Sequence, residues 1–168
     1  MTKLLIDPIE GVKVRLRLLT QDDLPLTLSW RNQDEVRKWF FHSDIIDLSQ
    51  HLKWFENYMM KDNDFVFIIE DRENFNNPVG QVSIYHVDWQ QRSCEFGRLM
   101  IGELAARGRG LAKEATLLAL QVAFIELKMK KVYLEVYKNN NRAIELYRSC
   151  GFYETGQFND ILYFEKTI

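Results

Sequence analysis

The sequence predicts a mixed α/β fold of the α+β kind, in which one sheet carries helices on both faces. Three observations support this prediction. In the first half of the chain several strand patterns follow one another, and in the second half strands alternate with helices. The chain has 168 residues, of which 46% are hydrophobic, so we expect a single domain over residues 1–168 with a sizeable core.

The first half of the chain combines alternating segments with short amphipathic ones. From Val12 to Leu19 apolar and basic residues alternate, which is typical of a half-buried strand. The segment Asp47–Gln50 resembles a helix cap and predicts the start of a helix. One face of that helix carries Leu48, Leu52, Phe55 and Met59. The other predicted elements are helices at 24–31 and 34–40 and strands at 64–71 and 79–87.

The second half begins with the stretch that organises the chain. A strand from Glu95 to Ile101 leads into an arginine- and glycine-rich turn, Arg107–Ala112, and that turn opens a long helix reaching Lys128. The predicted buried face of this helix carries Leu111, Ala115, Leu118, Val122 and Ile125. The remaining predicted elements are a strand at 131–137, a helix at 142–150 capped by Asn139–Asn141 and ended by Gly151, and strands at 152–158 and 160–166.

The glycine-rich turn predicts an anion site. The start of a helix leaves backbone N–H groups without intrahelical partners and carries the positive end of the helix dipole. Glycine lets a phosphate or pyrophosphate approach this backbone closely, and we expect Arg107, Arg109 and Lys113 to add positive charge. The alternative is an ordinary surface helix start, because short glycine-arginine turns are common.

Composition excludes several classes of function. A net charge of −2 and a pI near 6.0 argue against a general nucleic-acid or membrane-surface binder. There is no long apolar run, and the first residues do not lead into a signal peptide. Cys94 and Cys150 lack metal-ligand spacing, so we expect free thiols, no bound metal and a reducing, cytoplasmic location.

Two motifs together resemble the GNAT superfamily of acetyl-coenzyme-A-dependent N-acetyltransferases. The family's phosphate turn is matched by Arg107, Gly110 and Ala112. Its later motif is matched by Asn140, Ala143, Ile144, Leu146, Tyr147, Gly151 and Phe152. The resemblance covers nearly the whole chain. It implies a mostly antiparallel, splayed sheet, in which a bulge parts two neighbouring strands and the pantetheine arm of acetyl-CoA inserts between them.

The resemblance also assigns residues to the cofactor and to the chemistry. The backbones of Leu99, Met100 and Ile101 would hold the pantetheine amides, and Asn140 would contact the same arm. The pyrophosphate would lie on the N–H groups of Arg107, Gly108, Arg109, Gly110, Leu111 and Ala112. Tyr147 would lie near the thioester sulfur and act as the general acid, although a core tyrosine is the alternative.

Glu95 is the candidate general base, because it begins the strand that leads to the cofactor turn. A carboxylate there could take the amine proton directly or through water. An ordinary solvated or salt-bridged glutamate is the alternative. His86 and Asp88 end the preceding strand and are lesser candidates, and a histidine without a catalytic role is the more conservative interpretation of His86.

The acceptor is expected to be a small-molecule amine. The combination of Trp30-Arg31-Asn32 with His51-Leu52-Lys53-Trp54-Phe55 resembles the branch that acetylates nucleotide-linked amino-sugars, such as the pseudaminic-acid-pathway acetyltransferases. By that resemblance Arg31, His51 and Tyr85 would line the acceptor pocket, and Arg31 could meet a diphosphate. Protein N-terminal acetylation, as in the ribosomal-protein branch, is one alternative, and a non-catalytic acetyl-CoA-binding module is another. We expect no nucleic-acid or membrane partner and allow for a homodimer.

Overall fold

The computed structural model describes residues 3–168 and contains one eight-stranded sheet. The strands lie in the order β1-β2-β3-β4-β5-β6-β8-β7, and neighbouring strands are antiparallel except β5 and β6. The strands are β1 Ile9–Glu10, β2 Val14–Leu18, β3 Phe65–Asp71, β4 Asn77–Asp88, β5 Ser93–Ile101, β6 Lys131–Tyr137, β7 Tyr153–Phe158 and β8 Ile161–Thr167. The helices are α1 Leu24–Arg31, α2 Asp34–Arg37, α3 Leu48–Met59, α4 Leu111–Gln121 and α5 Asn141–Ser149. Single 3-10 turns lie at Gln21–Asp23, Arg72–Asn74 and Leu104–Ala106.

Helices cover both faces of the sheet, as predicted. In β3, Phe65, Phe67 and Ile69 face a core shared with α4 and α5, whereas Val66 and Ile68 face a second core shared with the α1 and α3 side. All seven residues of β3 are buried, because this central strand has packed layers on both sides. The predicted fold class is therefore confirmed.

Only part of the apolar face predicted for α3 packs against the sheet. Leu48, Leu52 and Met59 remain exposed, whereas Phe55 and Tyr58 are buried. Aromatic rings bury more area than aliphatic side chains, and the Tyr58 hydroxyl also accepts a hydrogen bond from the N–H of Val66 at 3.0 Å. These contacts turn the aromatic side of the helix, rather than the leucine side, towards the sheet.

The long helix changes its geometry before it ends. After α4, residues Val122–Glu126 form a π-helix, whose wider turn shifts the register of the residues that follow. Leu111, Ala115, Leu118 and Val122 are buried as predicted. Ile125 is 55% exposed, so the prediction for that residue is wrong, and Ala123 and Leu127 are buried instead.

The sheet parts between β5 and β6, as the resemblance implied. These two parallel strands pair only over Ser93–Glu95 and Lys131–Tyr133. Further along, β5 carries a bulge relative to β4: Gln81 opposes Met100, but Ser83 opposes Gly97, which leaves one extra residue in β5. Within this extra segment Arg98 has a left-handed φ of 53°. The bulge bends β5 away from β6 and opens a gap between them.

Candidate active site

A cavity of about 500 Å³ occupies the gap between β5 and β6 and reaches the start of α4. It is lined by Glu35, Val36, Trp39, Phe40, Phe41, Tyr85, Phe96, Gly97, Arg98, Leu99, Met100, Ile101, Ala106, Arg107, Gly108, Gly110, Leu111, Ala112, Lys113, Glu135, Val136, Asn140, Arg142, Ala143, Leu146 and Tyr147. Most residues that the sequence assigned to the cofactor therefore meet in one place. Glu95, Arg31, His51 and Arg109 are not among the lining residues.

The glycine turn leaves backbone N–H groups pointing to open space. Gly108 and Gly110 both have a φ of 78°, which a residue with a side chain rarely adopts. Gly110 caps α4 and supplies no side chain, so the first N–H groups of that helix are uncovered. Across residues 3–168, the N–H groups of Gly108, Arg109 and Gly110 donate no hydrogen bond. The turn is an anion-binding geometry.

The arginine side chains of this turn are already paired. Arg109 forms a two-pronged ion pair with the buried Asp71, at 2.6 and 3.2 Å, and also reaches Glu73. Arg107 donates to the carbonyl oxygen of Ile101 at 3.0 Å and to Gln33 at 3.2 Å. The expected extra charge at the anion site is therefore offset for Arg109, whose partners are the carboxylates of Asp71 and Glu73. Arg107 bonds only to neutral groups, so it keeps its positive charge beside the cavity that it lines.

Two other cations border the cavity near this turn. Lys113 on α4 and Arg142 on α5 are both exposed and line the cavity. Neither forms an ion pair with any of residues 3–168. Lys113 was predicted from its position in the helix, whereas Arg142 was missed because α5 approaches α4 only in the folded chain.

Asn140 caps α5 with its side chain. Its Oδ1 accepts a hydrogen bond from the N–H of Ala143 at 3.3 Å, which satisfies one unpaired donor at the helix start. Since the carbonyl oxygen is used in this way, the side-chain amide N–H groups of Asn140 remain available to the cavity that this residue lines.

Tyr147 of α5 lines the cavity. Its ring packs edge-on against Phe96 and Phe152, with centroid distances of 5.7 and 6.0 Å. The hydroxyl makes no hydrogen bond to another residue of the described chain. Burial, and next the nearby Cys150, raise the pKa of the Tyr147 hydroxyl above its ordinary value. This hydroxyl therefore stays protonated near neutral pH and can donate a proton.

Glu95 does not line the cavity and is held by two neighbours. Its Oε2 accepts a hydrogen bond from the Tyr85 hydroxyl at 2.9 Å, and its Oε1 accepts one from Nδ1 of His86 at 2.9 Å. Burial and then the Glu95 charge raise the pKa of Tyr85. The Tyr85 ring also packs under the guanidinium of Arg98, 4.1 Å from the ring centroid, and Arg98 is paired to the buried Asp64.

Glu135 is a carboxylate that the sequence did not single out. It lies on β6, lines the cavity and forms no hydrogen bond or ion pair with any of residues 3–168. Partial burial, and next the Glu95 carboxylate, raise the pKa of Glu135, while His86 lowers it. The sequence offers no signal for its role, since only the parallel pairing of β5 and β6 brings it near Glu95.

Arg31 and His51 lie together on the α1 and α3 side. Arg31 is 7% exposed, donates a hydrogen bond to the carbonyl oxygen of His42, and stacks over Phe40 at 4.5 Å. Its Nη1 is buried without a partner in residues 3–168. Burial, and next the charge of Arg31, lower the pKa of His51, whose Nε2 lies 2.9 Å from the Thr27 hydroxyl. Phe40 connects this pair to the cavity wall.

The two cysteines are free and buried. Burial raises the pKa of the Cys94 thiol to about 12, so this sulfur is not a nucleophile at neutral pH. Within residues 3–168 there is no group of three or more His, Cys, Asp or Glu side chains suited to a metal ion. The same residues contain no helix with the length and apolar character needed to cross a membrane.

Known proteins resemble this chain over most of its length. A family model described as the acetyltransferase (GNAT) domain matches residues 13–153. Spermidine N(1)-acetyltransferase of Vibrio cholerae is 26% identical over 144 residues, which cover 86% of this chain and 81% of that protein. Acetyltransferase PseH of Campylobacter jejuni is 26% identical over 145 residues, which cover 86% of each protein.

The fold is shared with a solved enzyme structure. A crystal structure of spermidine N-acetyltransferase from Vibrio cholerae, in complex with CoA and spermine, has a TM-score of 0.85 to this chain. The two chains are 24% identical, with 94% of this chain and 96% of that chain covered. Together with the family match, this confirms the resemblance that the two sequence motifs implied. The chain belongs to the GNAT acetyltransferase family, and it is an N-acetyltransferase whose acetyl donor is acetyl-CoA.

Proposed function

We propose that the cavity between β5 and β6 is the site at which acetyl-CoA and a small-molecule primary amine meet, and that the amine attacks the thioester directly in a ternary complex. The parted strands support this proposal. Beyond Glu95 and Tyr133 the backbones of β5 and β6 have no partner strand across the gap, so an extended amide-bearing chain can enter it. Holding both reactants in one slot supplies much of the rate enhancement.

The pantetheine arm lies along Leu99, Met100 and Ile101, with the amide of Asn140 as a further contact. The pyrophosphate lies on the uncovered N–H groups between Arg107 and Ala112. Lys113 and Arg142, together with Arg107, supply the positive charge that Arg109, paired with Asp71, cannot. Tyr147 protonates the departing thiolate, since its hydroxyl is protonated and borders the cavity.

The acceptor is a nucleotide-linked amino-sugar, as acetylated in the pseudaminic-acid pathway. The single observation that supports this class is Arg31, whose Nη1 is buried and unpaired in the described chain beside His51. A buried guanidinium nitrogen without a partner is costly, and a diphosphate approaching through the Phe40 wall would satisfy it. Acetyltransferase PseH is among the relatives of similar length.

A polyamine is the second candidate acceptor. The aromatic and acidic lining at the α2 end of the cavity favours it, because Glu35 and Glu135 border the cavity beside Trp39 and Phe41. Cationic amines bind well between carboxylates and aromatic faces. The spermidine acetyltransferase relatives point the same way. Protein N-terminal acetylation remains a further alternative.

One screen separates these acceptors. The protein is incubated with acetyl-CoA and, in parallel, with a nucleotide-linked amino-sugar, with spermidine and with short peptides, and the products are identified by mass. We expect acetylation of the nucleotide-linked sugar with a kcat/KM at least tenfold above that of the other acceptors. Faster acetylation of spermidine or of a peptide would overturn the acceptor proposal and leave the enzyme class unchanged.

A substitution tests the role of Arg31. We expect Arg31→Ala to raise the KM for the nucleotide-linked acceptor and to leave the dissociation constant of acetyl-CoA unchanged, because Arg31 lies away from the glycine turn. Arg37→Ala is the matched control, since that arginine is paired with Asp34 on the surface. A change in acetyl-CoA affinity with an unchanged acceptor KM would place the acceptor elsewhere.

Two further proposals concern the cellular location and the oligomeric state of the enzyme. We propose a cytoplasmic location, on the grounds that both cysteines are free. Self-association into a homodimer remains a prediction, which sedimentation of the purified protein tests.

A further inference from the structure

We propose that Gln33, between α1 and α2, is a positioning residue for acetyl-CoA that acts through Arg107. Its side-chain amide holds the Arg107 guanidinium beside the cavity and leaves the charge of that guanidinium available to a phosphate. The inference rests on the proposed use of the cavity as the acetyl-CoA site. It gives a role in cofactor binding to a residue that follows α1, the helix of the predicted acceptor residue Arg31.

The backbone of Gln33 is fixed by two helices. Its N–H donates to the carbonyl oxygen of Trp30 at 3.2 Å, at the end of α1. Its carbonyl oxygen accepts from the N–H groups of Val36 and Arg37 at 3.0 and 2.9 Å, at the start of α2. Because both peptide groups are held in this way, the side chain of Gln33 projects from a fixed point of the backbone.

The side-chain amide of Gln33 holds both ends of the loop that leads from β5 to the glycine turn. Its Nε2 donates to the carbonyl oxygen of Gly102 at 3.0 Å, and its Oε1 accepts from Nη2 of Arg107 at 3.2 Å. A glutamine suits this position, because one bond needs a donor and the other needs an acceptor. Gln33 is therefore the residue that ties the Arg107 side chain to the α1 and α2 side of the molecule.

Trp30 fixes the beginning of the same loop. The Trp30 side chain is 1% exposed, and its Nε1 donates to Oε1 of Glu103 at 2.8 Å. A Cβ at position 102 would lie 2.0 Å from Cγ of Trp30, so glycine is the residue that fits against this ring. Since the first residues of the loop are held by Trp30, Gln33 is left to orient its last residue, Arg107.

The partners of Arg107 orient its guanidinium without neutralising it. Both partners are neutral, namely the amide oxygen of Gln33 and the carbonyl oxygen of Ile101. Across residues 3–168 no carboxylate forms an ion pair with Arg107, whereas two carboxylates offset the charge of Arg109. In the same residues Nη1 of Arg107 has no hydrogen-bond partner. A charged fork with unused N–H groups, next to the uncovered amides of the turn, suits a phosphate oxygen.

Ordering Arg107 in the free protein should strengthen binding and leave the chemical step alone. A long arginine side chain loses rotamer freedom when it contacts a ligand, and holding it beforehand removes part of that loss. The phosphates of acetyl-CoA keep their charge throughout acetyl transfer, so this contact is as strong before the reaction as in the transition state. Such uniform binding changes KM and not kcat.

A double-mutant cycle on acetyl-CoA binding, measured by calorimetry with the whole protein, tests the proposal. Gln33→Met keeps the length of the side chain and removes both hydrogen-bonding groups, so we expect acetyl-CoA to bind about threefold to tenfold more weakly. With the acceptor identified by the screen, kcat should stay within about twofold of the wild type. Gln121→Met, at the exposed end of α4, is the matched control and should bind acetyl-CoA like the wild type.

The second arm of the cycle removes the group through which Gln33 acts. Arg107→Gln should weaken acetyl-CoA binding by about tenfold, with a loss that shrinks as the ionic strength rises from about 0.01 to 0.15 M. In the Arg107→Gln protein, Gln33→Met should lower the affinity by less than about twofold, because no guanidinium is left to position. Arg107→Lys keeps the charge and loses the held fork, so it should resemble Gln33→Met in affinity and leaves α1 and α2 intact.

Three results would overturn the proposal. The first is wild-type affinity for acetyl-CoA in Gln33→Met or, if that variant does not fold, in Arg107→Lys. The second is an equal effect of Gln33→Met in the wild-type and Arg107→Gln proteins, and the third is a fall in kcat as large as the loss of affinity. A wild-type protein that does not bind acetyl-CoA would instead reject the cavity proposal, so the two failures are distinguishable.

Discussion

The two ends of the cavity are built from different parts of the chain. At the α4 end the surface consists of backbone: glycines with left-handed φ, a helix start without a side-chain cap and the irregular strand β5. At the α2 end the surface consists of side chains drawn from α2, β4, β5 and β6. The first end presents amides and can hold a ligand shared by a whole family, whereas the second presents aromatic rings and carboxylates.

The charged side chains also differ between the two ends of the cavity. The free cations Lys113 and Arg142 border the α4 end, and the carboxylates Glu35 and Glu135 border the α2 end. A phosphate-bearing cofactor and an amine-bearing acceptor would each meet the opposite charge. One slot can therefore orient two substrates towards each other, and changes at either end should affect one substrate and spare the other.

The largest effect is expected where the two ends meet, at Tyr147. Replacing Tyr147 by Phe removes the proton donor and keeps the ring packing, so kcat should fall by about a hundredfold or more while the acetyl-CoA dissociation constant stays unchanged. Steady-state kinetics and calorimetry measure the two quantities. Tyr153→Phe, at an exposed tyrosine of β7, is the control. An unchanged kcat, with chemistry shown to be rate-limiting, would remove Tyr147 from the acid role.

A negative charge at the α4 end of the cavity should weaken acetyl-CoA binding and leave the acceptor unaffected. Ala112→Asp places a carboxylate in the first turn of α4, where it favours the helix dipole but repels pyrophosphate. We expect acetyl-CoA to bind about tenfold to thirtyfold more weakly, with no loss of thermal stability. Ala105→Asp makes the same change on the exposed loop before the turn. Equal weakening by both variants would show a general charge effect and not a site at the helix start.

Adding a methyl group at Gly97, at the α2 end of the cavity, should lower the reaction with the acceptor and leave acetyl-CoA binding unchanged. The Cβ of alanine at position 97 would lie 2.7 Å from the Tyr85 hydroxyl, so Gly97→Ala must shift the Tyr85 ring, whose hydroxyl donates to Glu95. We expect kcat/KM for the acceptor to fall about tenfold, with acetyl-CoA affinity within twofold of the wild type. The control is Gly156→Ala on β7, where the added Cβ has room and kcat/KM should stay at the wild-type value. Loss of acetyl-CoA binding in the Gly97 variant would contradict the separation of the two ends.

The smallest effect concerns the support of the glycine turn. The guanidinium of Arg109 lowers the pKa of Asp71, so this pair adds stability that is complete above the unfolded-state pKa of about 3.9 and is lost as the pH falls through the lower folded-state pKa. Asp71→Asn should therefore melt below the wild type at pH 7, with a difference that narrows below about pH 4. Melting curves between pH 3 and 8 measure this. A difference that stays constant across that range would exclude the ion pair as its cause.

The sequence predicted the α4 end better than the α2 end, for a physical reason. Gly108, Gly110 and the start of α4 are contiguous in the chain, so their geometry is local and can be inferred from residue type. Even there, the pairing of Arg109 with Asp71 was missed, since it joins residues 38 positions apart. Contacts between residues so far apart in the chain depend on the order of the strands in the sheet, which local sequence patterns do not predict.

The α2 end depends on contacts between strands. Glu135 and Glu95 come together only because β5 and β6 are parallel neighbours that pair for three residues and then part. Arg98 of the bulge fixes Tyr85 through a side chain whose partner, Asp64, lies 34 positions away. The exposed Ile125 was mispredicted because the α-helical period does not foresee a π-helical turn.

Hydrogen exchange tests the central claim most directly, since the claim is that the uncovered amides of the glycine turn hold the cofactor. The account predicts that saturating acetyl-CoA slows the exchange of the backbone N–H groups from Gly108 to Ala112 and leaves those of β7 unchanged. Acetyl-CoA binding that leaves the exchange of the turn amides as fast as in the free protein would contradict it.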